Sequence, residues 1–286
     1  ACTARAVSGE FARKALFAGM KPVSGYDCAI SFAHDNGWKF LSKGCNDFVL
    51  NKVEAQKKIS FVHCDYEHFG GYDPRQGRMY SRFDTIACVS GSCAAQFVKM
   101  FPALVGKCVI QENFIDVDKA KACSGGFEYP DDGNVHFVTV ARLSEEKGLD
   151  RAIAAFAAAW DAGLSGFTWT VVGDGPERGR LKDLVRSAGL TGRVSFIGEK
   201  ANPYPYVAAA DAFLLPSRHE AAPMVFGEAA ALGTAILTTR TSSADELVGN
   251  RGLGYVCDNG EEGLASLICA VLRGEKPLNC KPVKDI

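Results

Sequence analysis

Short apolar segments alternate with amphipathic helical segments over the second half of the chain, and this alternation restricts the fold more than any other feature. Residues 135–140 read as a buried strand, and 150–160 follow as a helix with one apolar face. The pattern continues through strands at 168–172, 194–197, 213–215 and 234–238 and helices at 178–187, 204–210 and 264–272. Alternating strands and helices predict a parallel, doubly wound sheet and the α/β class.

The first half repeats this rhythm less regularly, with a helix expected at 92–100. Its strand-like runs are 27–32, 58–63, 84–89 and 107–111. Residues 124–133, rich in Gly, Pro and Asp, form the best candidate for a linker. We therefore expect two Rossmann-like domains, 1–130 and 131–286.

Composition excludes several classes of protein. The chain has 286 residues and a formal net charge of −1, so no overall attraction to nucleic acid is expected. It has no apolar run near the roughly 20 residues of a membrane span. Its 11 cysteines include no Cys-x-x-Cys pair, which argues against a zinc site. We interpret them as free thiols of a cytoplasmic protein.

Two carboxylates flank a predicted helix start in the segment 218–233. Glu220 precedes Pro223, which suits a first helical turn, and Glu228 follows it within a run of helix formers that stops at Gly233. We expect Glu220 in the loop before the helix and Glu228 about two turns inside it. A strand, a loop with a carboxylate and a helix N-terminus are typical of an anion-binding crevice.

Two cations, Arg142 and Lys147, follow the strand at 135–140 and precede a helix. Ligands of doubly wound sheets bind at the carboxyl ends of the strands, where Arg supplies a planar fork for phosphate oxygens and Lys a mobile charge. This placement favours a diphosphate site. The alternative is a pair of surface residues bound to Glu145 and Glu146.

Several motifs together resemble the family 4 glycosyltransferases of the GT-B fold. In chain order they are Ala-Arg-Leu…Glu-Lys-Gly (141–148), Val-Val-Gly-Asp-Gly-Pro (171–176), Val-Ser-Phe-Ile-Gly (194–198), Leu-Leu-Pro-Ser-Arg-His-Glu (214–220), Glu-Ala (228–229) and Gly-Thr-Ala-Ile (233–236). The resemblance is dense over 135–270. It extends to an acceptor-side domain through Tyr-Asp-Cys-Ala-Ile (26–30), Phe-Val-His (61–63), Cys-Val-Ser (88–90) and Asn-Phe-Ile-Asp (113–116).

The resemblance implies a role for each residue of the donor site. Arg142 and Lys147 would hold the diphosphate of a nucleoside-diphosphate sugar. Glu228 would accept hydrogen bonds from the ribose, and Glu220 would face the transferred sugar. Glu220 could instead complement a helix dipole, and Glu228 could be an exposed surface residue.

Four further residues complete the implied site. Gly198, Glu199 and Lys200 would lie beside the base. His63, at the end of a first-half strand, would approach the sugar from the other domain, although a core histidine is a nearly equal alternative. Tyr204 and Tyr206 could border the base or cover the core.

The implied activity is that of a retaining, metal-independent glycosyltransferase of hexosyltransferase type, with no cofactor. It would move a sugar from a nucleotide sugar to a glycan or lipid-linked acceptor in bacterial cell-envelope polysaccharide synthesis. Its expected place is the cytoplasm or the inner face of the membrane, where residues 11–20, Lys52, Lys57 and Lys58 could contact lipid head groups.

Two departures from the family pattern leave alternatives open. Ala221 follows Glu220 where the family usually has Gly, and the chain lacks the usual opening strand with a Gly-rich loop. The first domain is therefore expected to be incomplete. The alternatives are an inactive or truncated sugar-nucleotide-binding module and, with less support, a sugar-nucleotide epimerase.

Overall fold

The computed structural model describes residues 17–33, 44–66 and 74–278. By its internal contacts the chain divides into two compact units, Ala1–Asn113 and Phe114–Ile286. Each unit contains one parallel sheet with helices. The prediction of two α/β domains with parallel sheets is confirmed.

The division between the units falls earlier than the expected linker. Residues 124–133 lie within the second unit, because the helix Val117–Ala122 packs against the later helix Met224–Leu232. Residues 114–130 therefore fold with the second unit.

Two expectations fall wholly or partly outside the described ranges. The incomplete opening of the first domain concerns the residues before the motif at 26–30, of which 1–16 lie outside these ranges, and the lipid contact at 11–20 overlaps the same part. Both stay predictions.

In the described part of the first unit, four parallel strands form a sheet in the order β1-β2-β3-β4. They are β1 (Val23–Ser31), β2 (Val53–Val62), β3 (Thr85–Cys88) and β4 (Cys108–Ile110). The described helices are α1 (Cys45–Lys52), α2 (Pro74–Tyr80) and α3 (Gly91–Met100). Ser90 caps α3 by accepting the Cys93 N–H at 3.0 Å. Helices α1 and α2 were not predicted, because Asn, Asp, Gly and β-branched residues weaken their helical signal.

The second unit contains six parallel strands in the order β10-β9-β8-β5-β6-β7. They are β5 (Val135–Val140), β6 (Phe167–Val172), β7 (Val194–Gly198), β8 (Ala212–Leu215), β9 (Ala235–Thr239) and β10 (Gly254–Cys257). Chain order reverses between β5 and β8, which are hydrogen-bonded neighbours. This reversal is the topological switch point, where doubly wound sheets bind ligands beyond the carboxyl ends of the strands.

Helices cover both faces of this sheet. They are α4 (Val117–Ala122), α5 (Leu149–Asp161), α6 (Arg178–Ser187), α7 (Tyr204–Ala209), α8 (Met224–Leu232) and α9 (Glu261–Leu272). Side chains alternate along each strand, so Phe137 packs in the core under α5, α6 and α9, while Val138 packs under α7 and α8. Both are fully buried, and each such side chain contributes about 1.5–3 kcal/mol to stability.

Buried polar groups in the sheet are paired. The Thr139 hydroxyl donates to the Leu214 carbonyl at 2.5 Å and accepts the Trp169 indole N–H at 3.0 Å, so it joins β5, β6 and β8. This bond fixes β8 beside β5 at the switch point. None of the helices in the described ranges is long and apolar enough to span a membrane.

Candidate active site

The loops after β5 and β8 meet directly at the switch point. Gly148 ends the loop after β5 with φ 64°, and a Cβ there would lie 2.2 Å from the Pro216 carbonyl oxygen, so only glycine fits. The Arg218 N–H donates to the Glu146 carbonyl at 2.8 Å. These contacts bring the two loops that carry the predicted cations and the first carboxylate into one place.

Lys147 and Glu220 form the central ion pair of this place. Lys147 Nζ lies 2.6 Å from Glu220 Oε1, and the side chains are 23% and 11% exposed. The fully buried Ser217 hydroxyl donates to the same Glu220 oxygen at 2.7 Å. The alternative was that Lys147 is a surface residue bound to Glu145 or Glu146. Because Lys147 pairs with Glu220 instead, this alternative is wrong for Lys147.

Arg142 lies at the exposed side of the same loop. Its Nη2 donates to Glu146 Oε1 at 2.7 Å, and the two side chains are 70% and 43% exposed. Burial raises the pKa of Glu146, but hydrogen bonds, chiefly from Arg142, bring it below its usual value. The surface-pair alternative is thus correct for Arg142 in this structure. An exposed pair contributes only about 0–1 kcal/mol, so the guanidinium can exchange this partner for a phosphate at little cost.

The Gly-Asp-Gly loop after β6 packs against the loop after β5. A Cβ on Gly173 would lie 1.9 Å from the Ala141 carbonyl oxygen, and one on Gly175 would lie 2.4 Å from that of Leu143. Asp174 accepts the Gly175 N–H at 2.7 Å, a hydrogen bond within its own loop. This loop therefore supports the backbone around Arg142.

Glu220 and Glu228 lie on either side of the start of α8, as predicted. Pro223 directly precedes the helix, and Gly233 ends it with φ 78°. Glu228 is half-buried on the second turn and accepts a hydrogen bond from the Tyr204 hydroxyl at 3.2 Å. Burial raises the pKa of Glu228, and the Tyr204 bond offsets part of that rise. The alternative of an exposed surface carboxylate is wrong.

Close packing seats α8 against residues at the start of the second unit. A Cβ on Gly227 would lie 2.5 Å from Ile115 Cγ1, so the helix approaches this side chain at a position where it has none of its own. Glu228 is the next residue along the helix. Its placement therefore depends on a glycine.

Gly198 is the last residue of β7, and Glu199 and Lys200 follow it at the carboxyl edge of the sheet. Gly198 has φ 76°, and its carbonyl accepts the Gly173 N–H at 2.9 Å. Glu199 and Lys200 are exposed. They share the sheet edge with the loops after β5 and β8, and their role beside a base stays a prediction.

His63 follows β2 in the first unit and is enclosed by aromatic rings. Its ring stacks on Phe61 with centroids 5.6 Å apart and contacts Phe32 at 4.7 Å. Burial lowers the pKa of His63, so it is neutral at pH 7. Its buried Nε2 has no hydrogen-bond partner within the described ranges. A donor or acceptor remains available there, and the contact with a sugar stays a prediction.

Comparison with known proteins decides the family. Residues 128–282, more than half of the chain, match the family described as "Glycosyl transferases group 1". The chain belongs to this family. The predicted resemblance is thereby confirmed.

Relatives within the family come from several bacteria. The chain is 33% identical over 155 residues to the lipopolysaccharide core biosynthesis glycosyltransferase LpsE of Rhizobium meliloti, a match covering 54% of the chain and 42% of the relative. It is 26% identical over 202 residues to a GDP-mannose-dependent alpha-(1-6)-phosphatidylinositol dimannoside mannosyltransferase of Mycobacterium tuberculosis, covering 70% and 52%. The chain thus spans about half the length of the curated relatives it matches.

Solved structures of the same fold support the architecture. Anabaena HepE in complex with UDP superposes with a TM-score of 0.64 at 20% identity, covering 78% of this chain and 65% of that one. A glycosyltransferase from Rickettsia africae gives 0.66 at 16% identity, covering 87% and 67%. At these identities the likeness shows the fold alone.

Two residues of the candidate site, Ser217 and Arg151, were not anticipated from the sequence. Ser217 lies within the motif Pro-Ser-Arg-His-Glu, but only its position three residues before a carboxylate hinted at a role. Arg151 is buried and donates to the Pro216 carbonyl at 2.7 Å and to Asn259 Oδ1 at 2.8 Å. Within an amphipathic helix it reads as an ordinary surface arginine, so no sequence pattern indicates this contact.

Arg218 and Asp150 add a second link between the same loops. Arg218 Nη2 lies 2.8 Å from Asp150 Oδ2 at the start of α5. Burial raises the pKa of Asp150, but the charge of Arg218 and its hydrogen bond bring it below its ordinary value. The loop after β8 is therefore held to the loop after β5 by a backbone hydrogen bond and to α5 by side-chain contacts.

Proposed function

We propose that this chain carries the donor site of a glycosyltransferase that uses a nucleoside-diphosphate sugar. The observation that carries the proposal is the Lys147–Glu220 pair of 2.6 Å at the switch point. This pair supports the proposal because an ammonium, which suits a diphosphate, lies next to a carboxylate, which suits a sugar, at the edge where doubly wound sheets bind ligands. Arg142 adds a second cation from the same loop.

The chemistry follows from charge. Cleavage of a sugar–phosphate bond builds positive charge on the anomeric carbon and negative charge on the leaving diphosphate. Lys147 and Arg142 would stabilise the leaving group more than the ground state, and one such donor is worth roughly 3–4 kcal/mol. Glu220 faces the sugar as nucleophile or positioning group, and the family resemblance favours retention of configuration.

The side-chain cations Arg142 and Lys147 would take the part that a metal plays in other transferases. Within residues 17–33, 44–66 and 74–278, no group of three or more His, Cys, Asp or Glu side chains is arranged to hold a metal ion. We propose a metal-independent reaction with no cofactor, in which Arg142 and Lys147 supply the positive charge.

The nucleoside is proposed to lie between helix α8 and the end of β7. Glu228 would accept hydrogen bonds from the ribose hydroxyls, as acidic residues do in other doubly wound folds. Gly198, Glu199 and Lys200 would border the base. The base is left open, because one structural neighbour binds UDP and one relative is named as GDP-mannose-dependent.

The acceptor is proposed as a glycan or lipid-linked saccharide of the bacterial envelope, used at the inner face of the membrane. This rests on relatives named for lipopolysaccharide core and phosphatidylinositol dimannoside synthesis. His63 would contact the sugar. Lys57 is exposed for lipid contact, but the ammonium groups of Lys52 and Lys58 donate to the carbonyls of Met20 and Leu50.

A panel of sugar nucleotides tests the proposal. The chain is incubated with UDP-glucose, UDP-N-acetylglucosamine and GDP-mannose, and free nucleoside diphosphate is measured with and without saccharide acceptors. Release that depends on Lys147 and Glu220 supports a transferase. Calorimetric binding without release favours a binding module, which the half-length match also allows, and donor interconversion without acceptor favours an epimerase. Absence of both binding and release contradicts the proposal.

A further inference from the structure

Glu220 Oε1 receives two donors from different parts of the second unit. Lys147 reaches it from the loop after β5 at 2.6 Å, and Ser217 reaches it from the end of β8 at 2.7 Å. The Glu220 backbone carbonyl is held separately by the Ser242 hydroxyl at 2.7 Å. The carboxylate, 11% exposed, thus depends on these two donors for much of its stabilisation.

Ser217 is the fixed member of the two donors. It is fully buried, and its carbonyl accepts the Thr239 hydroxyl at 2.5 Å. The preceding carbonyl, of Pro216, is held by Arg151 at 2.7 Å. The backbone at Ser217 is therefore anchored from β9 and from α5, which fixes the position from which its hydroxyl reaches Glu220.

Lys147 is the movable member. Its ammonium sits on a flexible four-carbon stem with three rotatable donors, and the side chain is 23% exposed. A diphosphate that binds at the switch point carries more negative charge than one carboxylate, so it competes for this ammonium. Glu220 would then lose one donor and stay largely buried, which is unfavourable unless another donor remains.

We propose that Ser217 is a positioning residue that retains Glu220 when Lys147 transfers to the diphosphate. This inference rests on the proposed function. In the free protein Lys147 and Glu220 satisfy each other. In the complex Lys147 binds phosphate oxygens, and the Ser217 hydroxyl alone keeps the carboxylate at the sugar. The free site is thus occupied by its own ion pair, and diphosphate binding includes the opening of that pair.

The proposal predicts opposite effects of two substitutions on affinity for inorganic pyrophosphate. Glu220→Gln removes the competitor for Lys147, so pyrophosphate binds more tightly, by roughly threefold to tenfold. Ser217→Ala leaves the freed carboxylate without its remaining donor, so pyrophosphate binds about tenfold more weakly, as expected for one hydrogen bond to a charged group.

A double-substitution cycle separates positioning from a merely structural role. In the Glu220→Gln background the carboxylate is gone, so Ser217→Ala is expected to have no further effect on pyrophosphate affinity. Ser242→Ala is the matched control, because it removes a serine hydroxyl bound to the backbone of Glu220 instead of its carboxylate. Its effect is expected to be equal in both backgrounds. Thermal melting of each variant checks that it is folded.

Each result has a defined meaning. The positioning role is overturned if Ser217→Ala weakens pyrophosphate binding both in the wild type and in the Glu220→Gln variant. It is also overturned if Ser217→Ala leaves pyrophosphate binding by the wild type unchanged. Unchanged or weaker binding by Glu220→Gln shows that Lys147 does not leave the carboxylate, and it overturns the inference even if Ser217→Ala does not fold. If the wild-type chain binds none of the three ligands pyrophosphate, UDP and GDP, the proposed function itself fails.

Discussion

Tyr204 and Glu228 share a hydrogen bond of 3.2 Å between two helices that follow different strands. Burial raises the pKa of Glu228. Burial also raises the pKa of Tyr204, and the negative charge of Glu228 adds to that rise. A half-buried carboxylate with a tyrosine partner is held in place before any ligand arrives. The arrangement suits a group that must accept hydrogen bonds from ribose hydroxyls.

Glu228→Gln is expected to stabilise the protein at neutral pH. The pKa of Glu228 is raised above 4.5 in the folded state, so its contribution to the free energy of unfolding falls as pH rises through 4.5 and stays low above the folded pKa. The variant should therefore melt higher than wild type at pH 7 and equally at pH 4. The exposed Glu262→Gln, in the first turn of α9, should show no gain because it complements the helix dipole.

The same Glu228 substitution distinguishes the two parts of a nucleotide. Loss of the ribose contact should weaken UDP or GDP binding about tenfold and leave pyrophosphate binding nearly unchanged. Titration calorimetry with all three ligands measures this. Equal losses for pyrophosphate and nucleotide are incompatible with the ribose role.

Lys147→Ala is expected to weaken nucleoside diphosphate binding by roughly 10- to 150-fold, because it removes a charge-assisted hydrogen bond worth about 1.5–3 kcal/mol. Unfolding should stay cooperative, with a lower melting temperature since Glu220 keeps only Ser217. Lys182→Ala, on the exposed face of α6, is the matched control and should change neither quantity. An unchanged dissociation constant for Lys147→Ala removes the diphosphate assignment.

Gly148→Ala is expected to destabilise the protein by about 2 kcal/mol or more and to abolish pyrophosphate binding. The residue has φ 64°, and the added Cβ would lie 2.2 Å from the Pro216 carbonyl, so the two loops must separate. Gly179→Ala on helix α6, with open space around it, should instead stabilise by roughly 0.5–1 kcal/mol. Chemical denaturation measures both. A neutral Gly148→Ala contradicts the close contact of the loops.

Chelators are expected to leave sugar-nucleotide turnover unchanged, because Arg142 and Lys147 carry the positive charge at the leaving group. Turnover with and without EDTA, followed by added Mg²⁺ or Mn²⁺, measures this. Inhibition that a metal reverses would show that a cation takes part.

The family resemblance implied that Lys147 and Glu220 share one site, and the observed strand order explains how they meet. Loops after strands on either side of a switch point converge, whatever their distance along the chain. The other hydrogen-bond partners of Glu220 and Glu228 were not predictable. The bonds from Ser217 to Glu220 and from Tyr204 to Glu228 depend on side-chain rotamers and on the seating of whole helices.

Short elements were missed for a related reason. Strand β10 has only four residues, Gly-Tyr-Val-Cys, and it becomes a strand by pairing with β9. Helix α4, Val117–Ala122, was not predicted, and its packing on α8 assigns it to the second unit. Tertiary contacts decide such segments more than local propensity does.

A crystal structure of the chain with bound UDP or GDP would show whether the loops after β5 and β8 form the diphosphate site. We expect the diphosphate at the carboxyl ends of β5 and β8, with a phosphate oxygen about 3 Å from Lys147 Nζ, the Lys147–Glu220 pair opened and the ribose at Glu228. A nucleotide bound elsewhere, with that ion pair still closed, would contradict it.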